Sequence, residues 1–216
     1  MSSGPARGLS GMTSLTLTTF LSLDGVMQAP GGPDEDTSGG FGLGGWLVPY
    51  ADADMGAFMS ECFELADGFV LGRRTYEIFA AHWPRVTDPD DPIASRLNTL
   101  PKYVASTSLR SADWYNTTVL REDAVEQIAA LKKQPEGELQ IHGSGGLARS
   151  LMARDLIDEL RLLIYPVVLG TGKRLFADGA LPTAMELANS RTTGTGVAIH
   201  TYKWAGRPAY GTFELG

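Results

Sequence analysis

Cysteine is nearly absent. Cys62 is the only one in 216 residues, so an intramolecular disulfide is ruled out. The three histidines, His82, His142 and His200, stand far apart and form no metal-ligand spacing with that cysteine, so no metal site is expected. Positive charge is also scarce. Eighteen Lys and Arg face 25 Asp and Glu, a net charge of -7, which argues against a nucleic-acid or anionic membrane partner. An anionic ligand would therefore have to be caught by a local basic site. No apolar run is long enough to span a membrane, and the opening MSSGPARGLSG lacks the apolar core of a secretion signal, which leads to an expected cytoplasmic location. The small and polar residues 1–12 are expected to form a disordered leader, and 13–216 a single domain. Neither an internal repeat nor a low-complexity tract is visible.

The 43% of apolar residues suffices for one substantial core. The chain is organised around Gly68 to Ala81, GFVLGRRTYEIFAA. Phe69, Val70 and Leu71 form a short apolar run that stops at Gly72, and from Thr75 onward Tyr76, Phe79 and Ala80 recur at helical spacing. This is a buried strand feeding a helix through a glycine. The first N–H groups of a helix lack internal partners and its dipole favours an anion, while Arg73 and Arg74 add planar donors suited to phosphate.

Before this stretch, Leu15 to Leu23 reads as a first strand ending at Asp24-Gly25, and Gln28 to Gly45 as a long Gly- and Pro-rich surface loop. Met55, Phe58, Met59, Cys62, Phe63 and Ala66 mark an amphipathic helix, with Cys62 on its apolar face. Beyond it, His82 to Pro101 is expected to be mainly irregular, with a helical turn around Ala94 to Leu97. Lys102 to Ser106 and Thr117 to Leu120 read as strands, and Val125 to Lys132 as a helix.

Glu138 to His142 is then a strand running into Gly143, Ser144, Gly145 and Gly146, after which Leu147, Leu151 and Met152 share a helix side. This is a second glycine-bearing corner. Asp158 to Leu169 is the most apolar strand, with a bulge or bend expected at Pro166. After the loop Gly170 to Phe176, the segments Met185 to Thr193 and Val197 to Trp204 read as an antiparallel hairpin about Gly194-Thr-Gly196. Strands alternating with helices and closing in a hairpin make an α/β sheet with an antiparallel edge.

Two such corners, one carrying an arginine pair, suit a diphosphate with an additional phosphate, as in NADPH. The Rossmann fingerprint fits poorly, since Gly143-Ser-Gly-Gly146 falls late in the chain with no acidic residue at the usual distance. The Walker motif fits worse, because Gly172-Lys173 is followed by Arg174.

GRRTYE at Gly72 to Glu77 resembles the cofactor-binding signature of dihydrofolate reductases. Ser22-Leu-Asp-Gly25 and Pro166 to Phe176 resemble the reductase domain of bacterial riboflavin biosynthesis. The chain is thus similar, from Met12 to Trp204, to the dihydrofolate-reductase-like proteins of the riboflavin-reductase-domain family. That resemblance implies a three-layer α/β fold with a mainly parallel sheet, NADPH bound across the strand ends, a heterocyclic small-molecule substrate and a homodimer. By position, Gly72, Arg73, Arg74 and Thr75 would hold the adenosine-side phosphates, and Ser106 and Thr107 would flank the adenosine. Gly143, Ser144, Gly145, Gly146 and Leu147 would cradle the pyrophosphate, with a cis peptide at Gly145–Gly146. The helix carboxylate of dihydrofolate reductases falls at about Gly56, which has no side chain, so Asp24 becomes the catalytic candidate, its plainer role being an Asx turn with Gly25. The activity implied is that of an NADPH-dependent reductase of a pyrimidine or pterin, closest to 5-amino-6-(5-phosphoribosylamino)uracil reductase. The alternatives are a dihydrofolate-reductase-type activity or NADPH binding without catalysis.

Overall fold

Leu15 and Leu17 are completely buried because the strand that carries them, β1 (Ser14–Ser22), lies inside the sheet with a parallel neighbour on either side. The computed structural model describes residues 11–213. Most of the expected leader therefore lies outside the described residues.

After β1 come α1 (Ala53–Glu64), β2 (Gly68–Gly72), α2 (Arg73–His82), α3 (Pro92–Thr99), β3 (Lys102–Ala105) and β4 (Thr117–Leu120). The chain continues through α4 (Ala124–Leu131), β5 (Glu138–His142), α5 (Gly145–Met152), β6 (Glu159–Tyr165), β7 (Met185–Thr192) and β8 (Ala198–Trp204). Among the described residues these strands make one eight-stranded sheet in the order β4-β3-β2-β5-β1-β6-β8-β7. All pairs are parallel except β6 with β8 and β8 with β7, which form the expected antiparallel edge. The expected α/β architecture is observed.

Alternation along the strands sets up two cores. Leu15, Leu17, Leu139 and Ile141 point to one face, where they meet Ile128 of α4 and Ala148 and Leu151 of α5. Phe69, Leu71, Leu163 and Tyr165 point to the other, beneath Phe58, Met59, Cys62 and Phe63 of α1, Leu97 of α3 and Tyr76 of α2. Each such side chain removed from water contributes about 1.5–3 kcal/mol. Cys62 behaves as one of them, and burial pushes its thiol up to about 11.

Two expectations need correction. The segment from His82 to Pro101 holds a full helix, α3, which Asp91 caps by accepting from the N–H of Ile93 and Ala94 while Pro92 occupies the first turn. Pro166 does not bend a strand. It ends one, because β6 stops at Tyr165 and proline has no N–H to continue the ladder.

β2 lies two places from β1 and the later β5 fills the gap, so the strand order switches at their carboxyl ends. A crevice opens at such a switch point, which is where ligands bind in open α/β sheets.

Candidate active site

That crevice is a cavity of about 770 Å³. Gly72, Arg73, Arg74 and Thr75 from the first corner line it together with Gly143, Ser144, Gly145, Gly146 and Leu147 from the second. The two corners, about seventy residues apart in the chain, are bonded to each other. Ser144 Oγ accepts from the Gly72 N–H at 3.0 Å, Thr75 Oγ1 accepts from the Ser144 N–H at 3.2 Å, and Ser144 Oγ donates to the His142 carbonyl at 3.0 Å. With that hydroxyl fixing both strand ends, α2 and α5 start side by side.

The corners are built differently. Gly72 is extended, with φ -76° and ψ 157°. Gly143 and Ser144 are both left-handed, with φ 55° and 48°. The peptide expected to be cis at Gly145–Gly146 is trans, as are all described peptide bonds. The reversal into α5 comes instead from the two successive left-handed residues, after which Gly145 is already helical. A Cβ at Gly145 would lie 2.6 Å from Met27 Sδ, whereas one at Gly146 would meet nothing within 4 Å. The backbone at Gly146 is therefore open to a ligand.

Ser106 and Thr107 are not brought into the lining; Ala105 is the residue of that strand end that reaches it. The Ser106 hydroxyl instead accepts from the N–H groups of Ser108 and Leu109 and closes a turn. Asp24 is not brought there either. Its carboxylate accepts from the Ser22 hydroxyl, the Leu169 and Gly170 N–H groups and Arg174. The Ser22 bond, followed by the Leu169 bond, holds its pKa well below the usual carboxylate range. Asp24 thus ties the turn after β1 to the loop after β6.

Several lining residues were invisible as site residues in the sequence. The loop from Gln28 to Gly45 places Asp36 between two cations, where Arg74 forms an ion pair with one carboxylate oxygen and Lys173 Nζ lies 2.7 Å from the other. Burial alone would raise the pKa of Asp36, but Lys173, Ser38 and Arg74 outweigh it and hold it low. Its neighbour Glu35 also lines the cavity, and there burial prevails and raises the carboxyl pKa. Glu35 is the titratable group that could have been suspected, being acidic in a loop long enough to cover a site.

Phe20, Met59, Phe63 and Phe79 give the cavity an apolar wall, and Thr18 and His142 form part of its floor. Burial, followed by the charge of Arg161, pushes the His142 imidazole down to about 3, so it is neutral at ordinary pH. Below it a buried polar column runs along the α1 face of the sheet. His142 Nε2 meets Gln140 Oε1 at 3.0 Å, Gln140 Nε2 donates to Glu138 and to the Cys62 carbonyl, and Glu138 receives both terminal nitrogens of Arg161 at 2.8 and 2.9 Å.

The layered sheet with a cavity at its switch point is a dihydrofolate-reductase-like fold. The chain belongs to the RibD C-terminal domain family, whose model matches residues 13–199. It is 27% identical over 194 residues to the uncharacterized Bacillus subtilis (strain 168) protein YyaP, covering 89% of this chain and 95% of that one. Its fold resembles a Shewanella sp. PV-4 protein described under riboflavin biosynthesis, with TM-score 0.67, 22% identity, and 89% and 99% of the two chains covered. It also resembles the Enterococcus faecalis dihydrofolate reductase complexed with NADP(H), with TM-score 0.55, 16% identity, and 89% and 98% covered. Among the described residues no helix is long and apolar enough to cross a membrane, and no group of His, Cys, Asp and Glu is arranged to hold a metal ion.

Proposed function

We propose that this protein is an NADPH-dependent reductase of a pyrimidine- or pterin-like heterocycle. The observation that carries this reading is the meeting of both glycine corners in one cavity, with an arginine pair on one and an open backbone on the other. The lining fits a phosphorylated dinucleotide. The N–H groups that open α2 and α5 have no partners inside their helices and suit phosphate oxygens. Arg73 and Arg74 add the positive charge that an extra phosphate needs. When bound, the cofactor supplies the hydride; the protein's part is to hold the two rings against each other and to keep water out. The apolar wall of Phe20, Met59 and Phe79 suits flat rings, and the loop bearing Glu35 and Asp36 lines the same cavity.

The test is substrate-dependent loss of NADPH absorbance across a panel of pyrimidines and pterins, repeated with Arg73→Ala/Arg74→Ala. Turnover of one of these rings, abolished in the double variant, is the expected result. NADPH binding without turnover of any of them would make the protein a cofactor-binding protein rather than a reductase, and NADH preference would remove the role given to the arginines.

A further inference from the structure

Position Gly56 offers no carboxylate to read a heterocycle's polar edge, and Asp24 is committed elsewhere. The floor of the cavity supplies another pair of groups. Leu15, Leu17, Leu139 and Ile141 all face α4 and α5, so alternation turns Thr18 and His142 to the opposite face, towards α1. The two are direct neighbours in the parallel register of β1 and β5. Both line the cavity, and they are 2% and 5% exposed. Thr18 Oγ1 is buried and has no hydrogen-bond partner. A buried hydroxyl without a partner is costly, and most such groups in native interiors are satisfied by protein, ligand or water.

The column beneath His142 decides what its ring presents. The Gln140 amide nitrogen donates to Glu138 and to the Cys62 carbonyl, so the Gln140 oxygen is the atom that faces His142. An amide oxygen accepts only, hence His142 carries its proton on Nε2. Nδ1 is left as a bare acceptor, and no hydrogen bond to it exists among the described residues. The ring cannot swing away, because it stacks on Phe63 with centroids 4.4 Å apart and planes within 13°.

We propose that Thr18 and His142 are the specificity-determining pair of this cavity. His142 Nδ1 accepts an N–H of the heterocycle, and the Thr18 hydroxyl donates to the carbonyl or ring nitrogen beside it. Gln140 is a positioning residue that fixes the imidazole tautomer. The ligand class defined in this way is a flat ring with a donor next to an acceptor on one edge, as in a cyclic amide or amidine. This deepens the reductase reading and rests on it for the presence of a heterocycle in the cavity.

The experiment uses the full chain, selectively labelled with ¹⁵N-histidine and titrated with 5,6-diaminouracil, which has such an edge, and with its 1,3-dimethyl derivative, which has lost the ring N–H. The expected spectrum of the free protein shows His142 with a protonated Nε2 and an unprotonated Nδ1. Diaminouracil moves the Nδ1 signal, whereas the dimethyl compound leaves it in place and binds at least about tenfold more weakly, as loss of a hydrogen bond to a buried partner requires. Thr18→Val, which preserves shape, raises the dissociation constant of diaminouracil about tenfold. Gln140→Leu gives a mixture of His142 tautomers. An unmoved Nδ1 signal at saturation, no saturable binding of diaminouracil, or an unchanged constant in Thr18→Val would each overturn the proposal. NADPH affinity is measured separately on the same samples: its absence alongside a responding Nδ1 would fail the cofactor reading and leave the floor pair standing.

Discussion

The corner after β2 turns from strand to helix with Gly72 at φ -76°, a conformation open to any residue, whereas the corner after β5 passes through Gly143 and Ser144 in the left-handed region. The first carries two cations and the second none within its turn. On the proposed reading, phosphate capture by charge and close approach by bare backbone would thus be divided between two places, which the Ser144 hydroxyl couples through the Gly72 N–H. The division predicts that side-chain changes matter most at the first corner and backbone changes most at the second.

The largest expected effect tests the charged corner. Arg73→Ala/Arg74→Ala should weaken NADPH binding by calorimetry about a hundredfold, two charge-assisted hydrogen bonds of about 1.5 kcal/mol each. Denaturant stability should hardly change, because both guanidinium groups are about half exposed, at 51% and 52%. An unchanged dissociation constant would place phosphate capture on the β5 corner alone.

Next comes a test of the strand that feeds the uncharged corner. His142 is held neutral in the folded protein down to about 3, while an unfolded histidine protonates near 6.5. Between those values the unfolded chain binds the extra proton, so stability rises with pH and is lost as pH falls through this window. Urea unfolding at pH 5 should therefore give about 2 kcal/mol less stability than at pH 7, with most of the difference removed by His142→Phe. A curve equally steep in the variant would assign the loss to other groups.

Backbone effects are smaller and should be unequal. Gly143→Ala puts a side chain at φ 55°, with no closer contact than Thr75 Oγ1 at 3.7 Å, and should cost about 1 kcal/mol from conformation alone. Gly72→Ala meets Ser144 Cβ at an ordinary 3.6 Å with a permissive φ, and should stay within about 0.5 kcal/mol of the parent. Equal costs at the two sites would erase the distinction between the corners.

Both corners were legible in the sequence because each is a local event. An apolar run, a glycine and a switch to helical period can be read without knowing what lies across the fold. The sheet with its antiparallel hairpin followed from the same kind of signal. Helix α3 was obscured by its prolines, although Asp91-Pro92 is itself a helix-start signal. The fate of Asp24 could not be read, since its partners Leu169, Gly170 and Arg174 lie some 145–150 residues away. Asp36 and Lys173 lie in loops with no local signal of a site, Glu35 offers only the length of its loop, and His142 is the last residue of a strand. Each acquires its surroundings only when β1, β2 and β5 come side by side, and no local pattern records that.

Asp36 gives the charged corner a property of its own. With its carboxylate already seated between Arg74 and Lys173, the corner would, on the proposed reading, work as an ion exchanger rather than as an empty cationic trap. An incoming group must outcompete a resident monoanion, and a phosphate monoester, with nearly two negative charges at neutral pH, does so more readily than a singly charged rival. Selectivity for a doubly charged visitor would then arise from displacement, and because salt screens a dianion more strongly than a monoanion, that preference should shrink as ionic strength rises.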